Sequence, residues 1–459
     1  MQDTSAVKQN WYGRFIASIE RPVSIAPLIT FRIAFGFIMF ISTVRYMWMG
    51  WVETQLIKPL FHFHYYGFDW VKPLPGDWLY LVFAILILST VAITIGAYYR
   101  FFATLFFILF SYVELIDLTY YLNHYYFVGV VSFMLVFVPA NRSLSFDVRF
   151  RKIAPTEKVS AWCIVIFKIQ IAIVYIYAGL AKINYDWLFR ALPLAIWLPA
   201  KSGIPLIGWA FKYKITAYLF SWFGMLFDTF IILGLLIKKT RLPAYFLVIV
   251  FHAMTGILFQ IGIFPLVMIF GVTIFFSPAL HEKLVATIEN KIFKKTPACA
   301  VAPGKTNKNH LLYPFLILFM SFQLLFPWRY LLYPGNLFWT EEGYRFSWRV
   351  MLMEKAGTAT FYVKDGENGR EGSVINSQFL NPHQEKQMAM QPDMILQFAH
   401  FLGEHFSANG MNDPIVRAEC KVTLNGRRSR DIVDPTADLT TITDTWKPKE
   451  WITPFEENK

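Results

Sequence analysis

Long apolar runs alternate with short polar breaks through the first 327 residues, and then the pattern changes. Nine apolar stretches are candidates for crossing a bilayer, near 24–48, 78–99, 101–120, 124–140, 160–181, 216–237, 242–260, 262–279 and 311–327. A crossing helix needs about 20 such residues, and the fourth and eighth stretches are short. Segment 183–215, with "WLFRALPLAIWLPAKSGIPLIGWAF", is only half apolar and rich in Trp and Pro. It predicts interfacial or re-entrant pieces rather than a tenth span. Beyond residue 328, "TATFYVKDGENGREGSVI" alternates around a Gly/Asn turn, as a hairpin does. "QPDMILQFAHFLGEHF" has the helical period, and "IVRAECKVTLNGR" alternates again. The predicted fold class is a polytopic α-helical membrane protein of about nine transmembrane helices, followed by a small C-terminal β-rich or α+β soluble domain. The domains are 1–327 and 328–459, and 294–310 reads as a linker.

Charge changes the picture from fold to orientation. The chain carries a net charge of +12, yet only 16% of its residues are charged and 56% are hydrophobic. With the N-terminus in the cytoplasm, the inner segments hold Lys8, Arg14, Arg21, Arg100, Arg142, Arg149, Arg151, Lys152, Lys158, Lys238, Lys239, Arg241 and the lysines of 283–308. The outer loops hold far fewer, among them Lys58, Lys72, Lys182, Arg190 and Lys201. This asymmetry predicts a cytoplasmic N-terminus and an extracytoplasmic C-terminal domain, and it assigns the positive charge to membrane topology and not to nucleic acid. No cleavable signal peptide is expected, because the first apolar run is followed by no small-residue cleavage site. Cys163, Cys299 and Cys420 are scattered without CxxC spacing, so no metal or redox framework is expected.

Ionisable groups at membrane depth are the candidates for chemistry. They are Arg32, Arg45, Glu114, Asp117, Lys168, Asp228 and His252, with Gln170 beside them and Asn123, His124 and Lys182 at outer helix ends. For Arg32, Lys168, Asp117 and Asp228 the favoured reading is pairing between helices. Lys168, Tyr175 and Lys182 are spaced by seven, close to two helical turns, and share one face. Lys182 can also simply reach out to the headgroups. His62 and His64 form an HxH pair with too few further ligands for a metal site. No HExxH, GxSxG, Walker or GxGxxG pattern stands in a credible context.

Several segments together resemble vitamin K-dependent γ-glutamyl carboxylases, within the wider class of horizontally transferred transmembrane domains that bacteria also carry. "YAGLAKINYDW" resembles the family's "AGvKKlDADW". "FRIAFGF", "LIDLTYYLNHYY", "FHAMTGILFQIGIFPLVM", "GYRFSWRVM", "VKDGENGREG" and "DTWKPKEWITP" follow in the family's order from residue 31 to about 454. The resemblance implies an integral enzyme of a bacterial cell (inner) membrane. It would use a vitamin K hydroquinone of menaquinol type with O2 and CO2, and no metal. A lysine deprotonates the hydroquinone, oxygenation yields a strong base, and a peptide glutamate is carboxylated while the vitamin leaves as its epoxide. The partners implied are a glutamate-containing protein or peptide, the quinone and the lipid bilayer.

Carried over residue by residue, the resemblance makes Lys182 the base, with Ala181 where the family has a second lysine. Asn123 and His124 would contact the vitamin ring and support the lysine. Phe264 and Met268 match the quinone pocket, and Tyr175 and His252 join them as cofactor-binding candidates. Tyr344, Ser347, Trp348 and Met351 match a stretch implicated in glutamate binding. Animal relatives are longer and tie their first outer loop to the soluble domain with a cysteine pair; no cysteine lies at 49–77 here. Two other readings stay open: a quinol epoxidase without protein carboxylation, and a non-catalytic quinone- or lipid-binding membrane protein.

Overall fold

The computed structural model describes residues 11–151, 153–259, 261–292 and 311–456, so the linker expected at 294–310 lies outside the described residues. Among the described residues the longer helices of the membrane part are α1 (Ala26–Trp48), α2 (Trp78–Ile95), α3 (Tyr99–Ile116), α4 (Asn123–Phe137), α5 (Trp162–Ala181), α6 (Lys214–Leu236), α7 (Arg241–Leu258), α8 (Phe264–Gly271), α9 (Pro278–Ile292) and α10 (Leu312–Leu325). Seven helices among the described residues are long and apolar enough to cross a membrane, or eight if a pair bent by 113°, Phe264–Phe275 with Pro278–Lys291, counts as one. This is fewer than the nine crossings read from the sequence.

Proline accounts for the difference. Val138 is extended before Pro139 and stops α4 at 15 residues, and Pro278 starts α9 in a new direction after the extended Phe276. Both short helices still carry the chain between opposite ends of the bundle. Asn123, at the start of α4, bonds the C-terminal domain, and Ala140, just past its end, accepts from Arg32 near the start of α1. Likewise Phe264 stacks on His124, while Thr273 meets His281, which bonds Thr30 of α1. Arg32 is fully buried and donates to the Ala140 and Leu144 carbonyls at 2.7 Å each. The polar partner of this membrane cation is therefore backbone. Segment 183–215 folds into short helical turns, none of spanning length.

The C-terminal domain is a four-stranded antiparallel sheet in the order β2-β1-β3-β4, from β1 (Lys355–Lys364), β2 (Glu371–Ser373), β3 (Ile415–Leu424) and β4 (Arg430–Asp431). The alternation in the sequence becomes the pleat: Val416, Ala418, Cys420, Val422 and Leu424 of β3 face the core, against α11 (Pro392–Ala408). Cys420 is a free, buried thiol there.

The loops at this end of the bundle hold the domain through buried side chains and hydrogen bonds. Phe63 is fully buried in the domain's core, and Gln397 brackets His64, accepting from its N–H at 2.9 Å and donating to its C=O at 3.0 Å. His62 belongs to the same fastening. Its Nδ1 lies 3.0 Å from Asp117, which also accepts from Gln384 at 2.6 Å.

Candidate active site

Lys182 is placed by how α5 ends. Gly179, one turn earlier, meets α6 so closely that a Cβ there would lie 2.6 Å from the Thr229 nitrogen. Small residues allow this kind of approach between membrane helices. The neighbouring residue of α6 is Asp228, and its Oδ2 accepts from Lys182 Nζ at 2.8 Å. Nζ also donates to the Ala178 carbonyl at 3.1 Å. Past Lys182, Asn184 caps the next short helix, Tyr185–Phe189, accepting from Trp187 N at 3.0 Å. Trp187 turns its indole back under the ammonium, 5.3 Å from the ring centre, and donates its own N–H to Ser221 of α6 at 2.7 Å.

Lys182 and Asp228 open onto a cavity of about 400 Å³ enclosed by α5, α6, α7, α8 and Val350–Met351. The walls are mostly aliphatic and aromatic. A second polar group faces Lys182's helix from α7: His252 Nε2 lies 2.7 Å from the Tyr175 hydroxyl. His252 Nδ1 is buried and has no hydrogen-bond partner among the described residues. Few, well-placed polar groups in an apolar hollow are the usual make-up of a small-molecule site.

The candidates from the sequence divide into two groups. Lys182, Tyr175, His252, Phe264, Met268 and Met351 all line this cavity. Asn123, His124, Tyr344, Ser347 and Trp348 do not. Among the described residues, His124 makes no hydrogen bond to Lys182. Its ring stacks on Phe264, 5.4 Å between centres, and so stands behind the cavity wall. Lys168 sits apart over Phe275, so the face it shares with Tyr175 and Lys182 in sequence does not bring it to the cavity.

Asn123 fastens the segment that carries the glutamate-binding candidates. Its Nδ2 donates to Arg349 O at 2.7 Å, and Tyr121, bonded to Asn123, accepts from Phe346 N at 2.7 Å. That segment is strained: Phe346, Trp348 and Met351 have φ of +59°, +58° and +55°. Left-handed backbone costs such residues about 1–2 kcal/mol each. The fastening includes Ser347, whose hydroxyl donates to Tyr344 O, and Trp348, stacked on Tyr126 at 4.9 Å. Arg345 bonds Asp393 of α11 at 2.5 Å. Burial pushes the Asp393 carboxyl up, but the Arg345 guanidinium more than offsets this and holds it below the usual carboxylate range.

A second cavity of about 740 Å³ lies on the other side of the same segment, lined by Glu114, Tyr121, Arg345 and Phe346 among others. The residue that sequence reasoning left out of the site is Asp228. The signal was present, since an aspartate at membrane depth needs a cation; what was missing was which helix it faces.

Helical bundle, apolar cavity with a few polar groups and C-terminal α+β domain together define a multi-pass membrane protein with an extramembrane C-terminal domain. Residues 20–279 match the HTTM domain, and residues 308–458 match the lumenal domain of vitamin K-dependent gamma-carboxylase. The chain therefore belongs to the vitamin K-dependent carboxylase-related family of HTTM proteins. No solved structure matches it.

Proposed function

We propose that the chain is a vitamin K-dependent γ-glutamyl carboxylase-like enzyme. It oxygenates a menaquinol-type hydroquinone to the epoxide and couples that reaction to carboxylation of glutamate in a protein or peptide. The observation that carries this reading is the cavity, where Lys182, Asp228 and His252 are the polar residues of an apolar hollow. Its volume of about 400 Å³ falls within the range of small-ligand sites. A hydroquinone needs apolar walls for its rings and polar partners for two hydroxyls. Lys182 with Asp228 supplies one partner, and the polar side chains of α7 that line the cavity, His252 and Thr255, are the candidates for the other, so the residues fit the group. Bound there, the hydroquinone with O2 supplies the strong base that takes a γ-proton from glutamate.

The chain's own residues do the rest. Lys182 holds one hydroxyl and starts its deprotonation. Tyr175 fixes the His252 ring in the cavity wall through the bond to Nε2. Phe264, braced by His124, and Met268 pack on the rings and exclude water, which protects a strong base. Met351 brings the strained segment to the same cavity, so a glutamate held along Tyr344, Ser347, Trp348 and Met351 meets the reaction there. Asn123 positions that segment. The Lys/Arg distribution supports a cytoplasmic N-terminus in a bacterial cell membrane, with the C-terminal domain outside.

The test is mass spectrometry of a glutamyl peptide after incubation with purified protein, reduced menaquinone, O2 and bicarbonate. The peptide is expected to gain the mass of CO2. Epoxide without that gain restricts the activity to epoxidation, and the absence of both products contradicts the reading.

A further inference from the structure

The cavity of about 740 Å³ takes no part in the chemistry proposed for Lys182. At membrane depth its walls are apolar side chains of α3, α4 and α10, among them Phe110, Phe133 and Phe322. Phe322 lines the hollow and is also 48% exposed, on a helix long enough to cross the membrane, so the hollow opens sideways to lipid. Gly129 supplies the depth. It lies inside α4 and lines the cavity. Glycine in a helix interior costs about 1 kcal/mol relative to alanine. A Cβ at Gly129 would meet nothing within 4 Å, so no neighbouring helix requires the glycine. Its smallness keeps the hollow open.

The other end meets the C-terminal domain, and its charges do not all pair. Arg345 pairs with Asp393 at 2.5 Å, Lys449 with Asp444, and Glu341 with Lys355 at 2.8 Å. Arg329, Glu342 and Glu114 are left over. Arg329 donates to the Phe326 and Arg345 carbonyls and has no carboxylate partner among the described residues. Glu342 accepts from Lys449 N at 3.0 Å, yet burial outweighs that bond and pushes its carboxyl up. Glu114, in the last turn of α3, has no hydrogen-bond or ion-pair partner among the described residues. A lone cation and lone carboxylates, on the wall of an apolar hollow open to lipid, call for an amphiphile that carries both charges.

We propose that this cavity binds a membrane phospholipid with a primary amine, of the phosphatidylethanolamine class. Its phosphate meets the Arg329 guanidinium, its ammonium donates to Glu342, and an acyl chain lies past Gly129 between α3 and α10. A glycerol headgroup leaves Glu342 without a cation, and a trimethylated amine has no N–H to donate. An acidic peptide sets its own carboxylates against Glu342 and Glu114. The bound lipid ties the helical bundle to the C-terminal domain, whether or not the first cavity takes a quinol.

The experiment is native mass spectrometry of the purified protein in detergent micelles that contain equal amounts of palmitoyl-oleoyl phosphatidylethanolamine, phosphatidylglycerol and phosphatidylcholine. Phosphatidylethanolamine is expected to be retained at least about tenfold over either competitor, the worth of one hydrogen bond to a charged group. Gly129→Phe fills the hollow and is expected to abolish that retention, while circular dichroism shows a melting temperature no lower than the wild type's. Glu342→Gln keeps the acceptor for Lys449 N and is expected to remove the preference for the amine headgroup while phospholipid is still retained. Equal retention of the three lipids by the wild type overturns the proposal. So does retention that both variants leave unchanged, or displacement of the lipid by an equal amount of menadione, which would make the hollow a quinone site.

Discussion

At the scale of the residue, the Lys182–Asp228 pair is better suited to chemistry than to stability. Only 6% of Lys182 and 5% of Asp228 is exposed. Such a pair is often no more stabilising than apolar side chains of the same volume, while removing one partner alone costs about 3–5 kcal/mol. Lys182 was legible in the sequence because an amine closing an apolar helix demands a reason. Its partner was not, since the choice between pairing with Asp228 and meeting His124 depends on how α4, α5 and α6 face one another, and a single sequence does not contain that. The spacing of Lys168, Tyr175 and Lys182 gave their common helix face correctly. It could not show that the cavity begins only at Val174 and leaves Lys168 against Phe275.

At the scale of the element, the crossing of α5 over α6 at Gly179 governs the site. Gly179→Val would drive side-chain atoms into the Thr229 backbone, where even a Cβ has only 2.6 Å. Overpacking of this kind costs about 1–3 kcal/mol. The variant is expected to melt at lower temperature and to lose epoxide formation at least about tenfold, as a widened crossing draws Asp228 away from Nζ. Thermal unfolding and epoxide assays on the same sample check both. The helices and strands were legible because periods of 3.6 and 2 are local properties. The early stops of α4 and α8 were less so, although Pro139 and Pro278 marked them.

At the scale of the whole molecule, the cavity and the C-terminal domain are locked by a clamp four residues beyond Lys182. Asp186 accepts from both terminal nitrogens of Arg427 at 2.7 Å each, and from Asn425 Nδ2 at 2.7 Å. Burial works against its charge, but these bonds win and hold the carboxyl below its ordinary value of 3.8. A depressed carboxylate contributes stability that is complete above the unfolded pKa and is lost as pH falls through the lower, folded value. The docking of the C-terminal domain should therefore loosen below about pH 3.8. Arg427→Ala is expected to remove much of that acid-dependent step and to make the junction near Asp186 more sensitive to limited proteolysis at neutral pH. Unchanged proteolysis would show that the other fastenings, at Phe63, His64, His62 and Asn123, hold the domain without this clamp.

The central claim is that Lys182, at the polar end of the cavity, begins the reaction, and epoxide formation by Lys182→Ala tests it most directly. Quinone binding, measured by tryptophan quenching in the same sample, is expected to persist on the apolar walls. Epoxide formation is expected to fall by about 10²–10⁴-fold, the usual loss when a positioned proton-transfer group is removed. A variant that binds the quinone and forms epoxide at the wild-type rate would contradict the account.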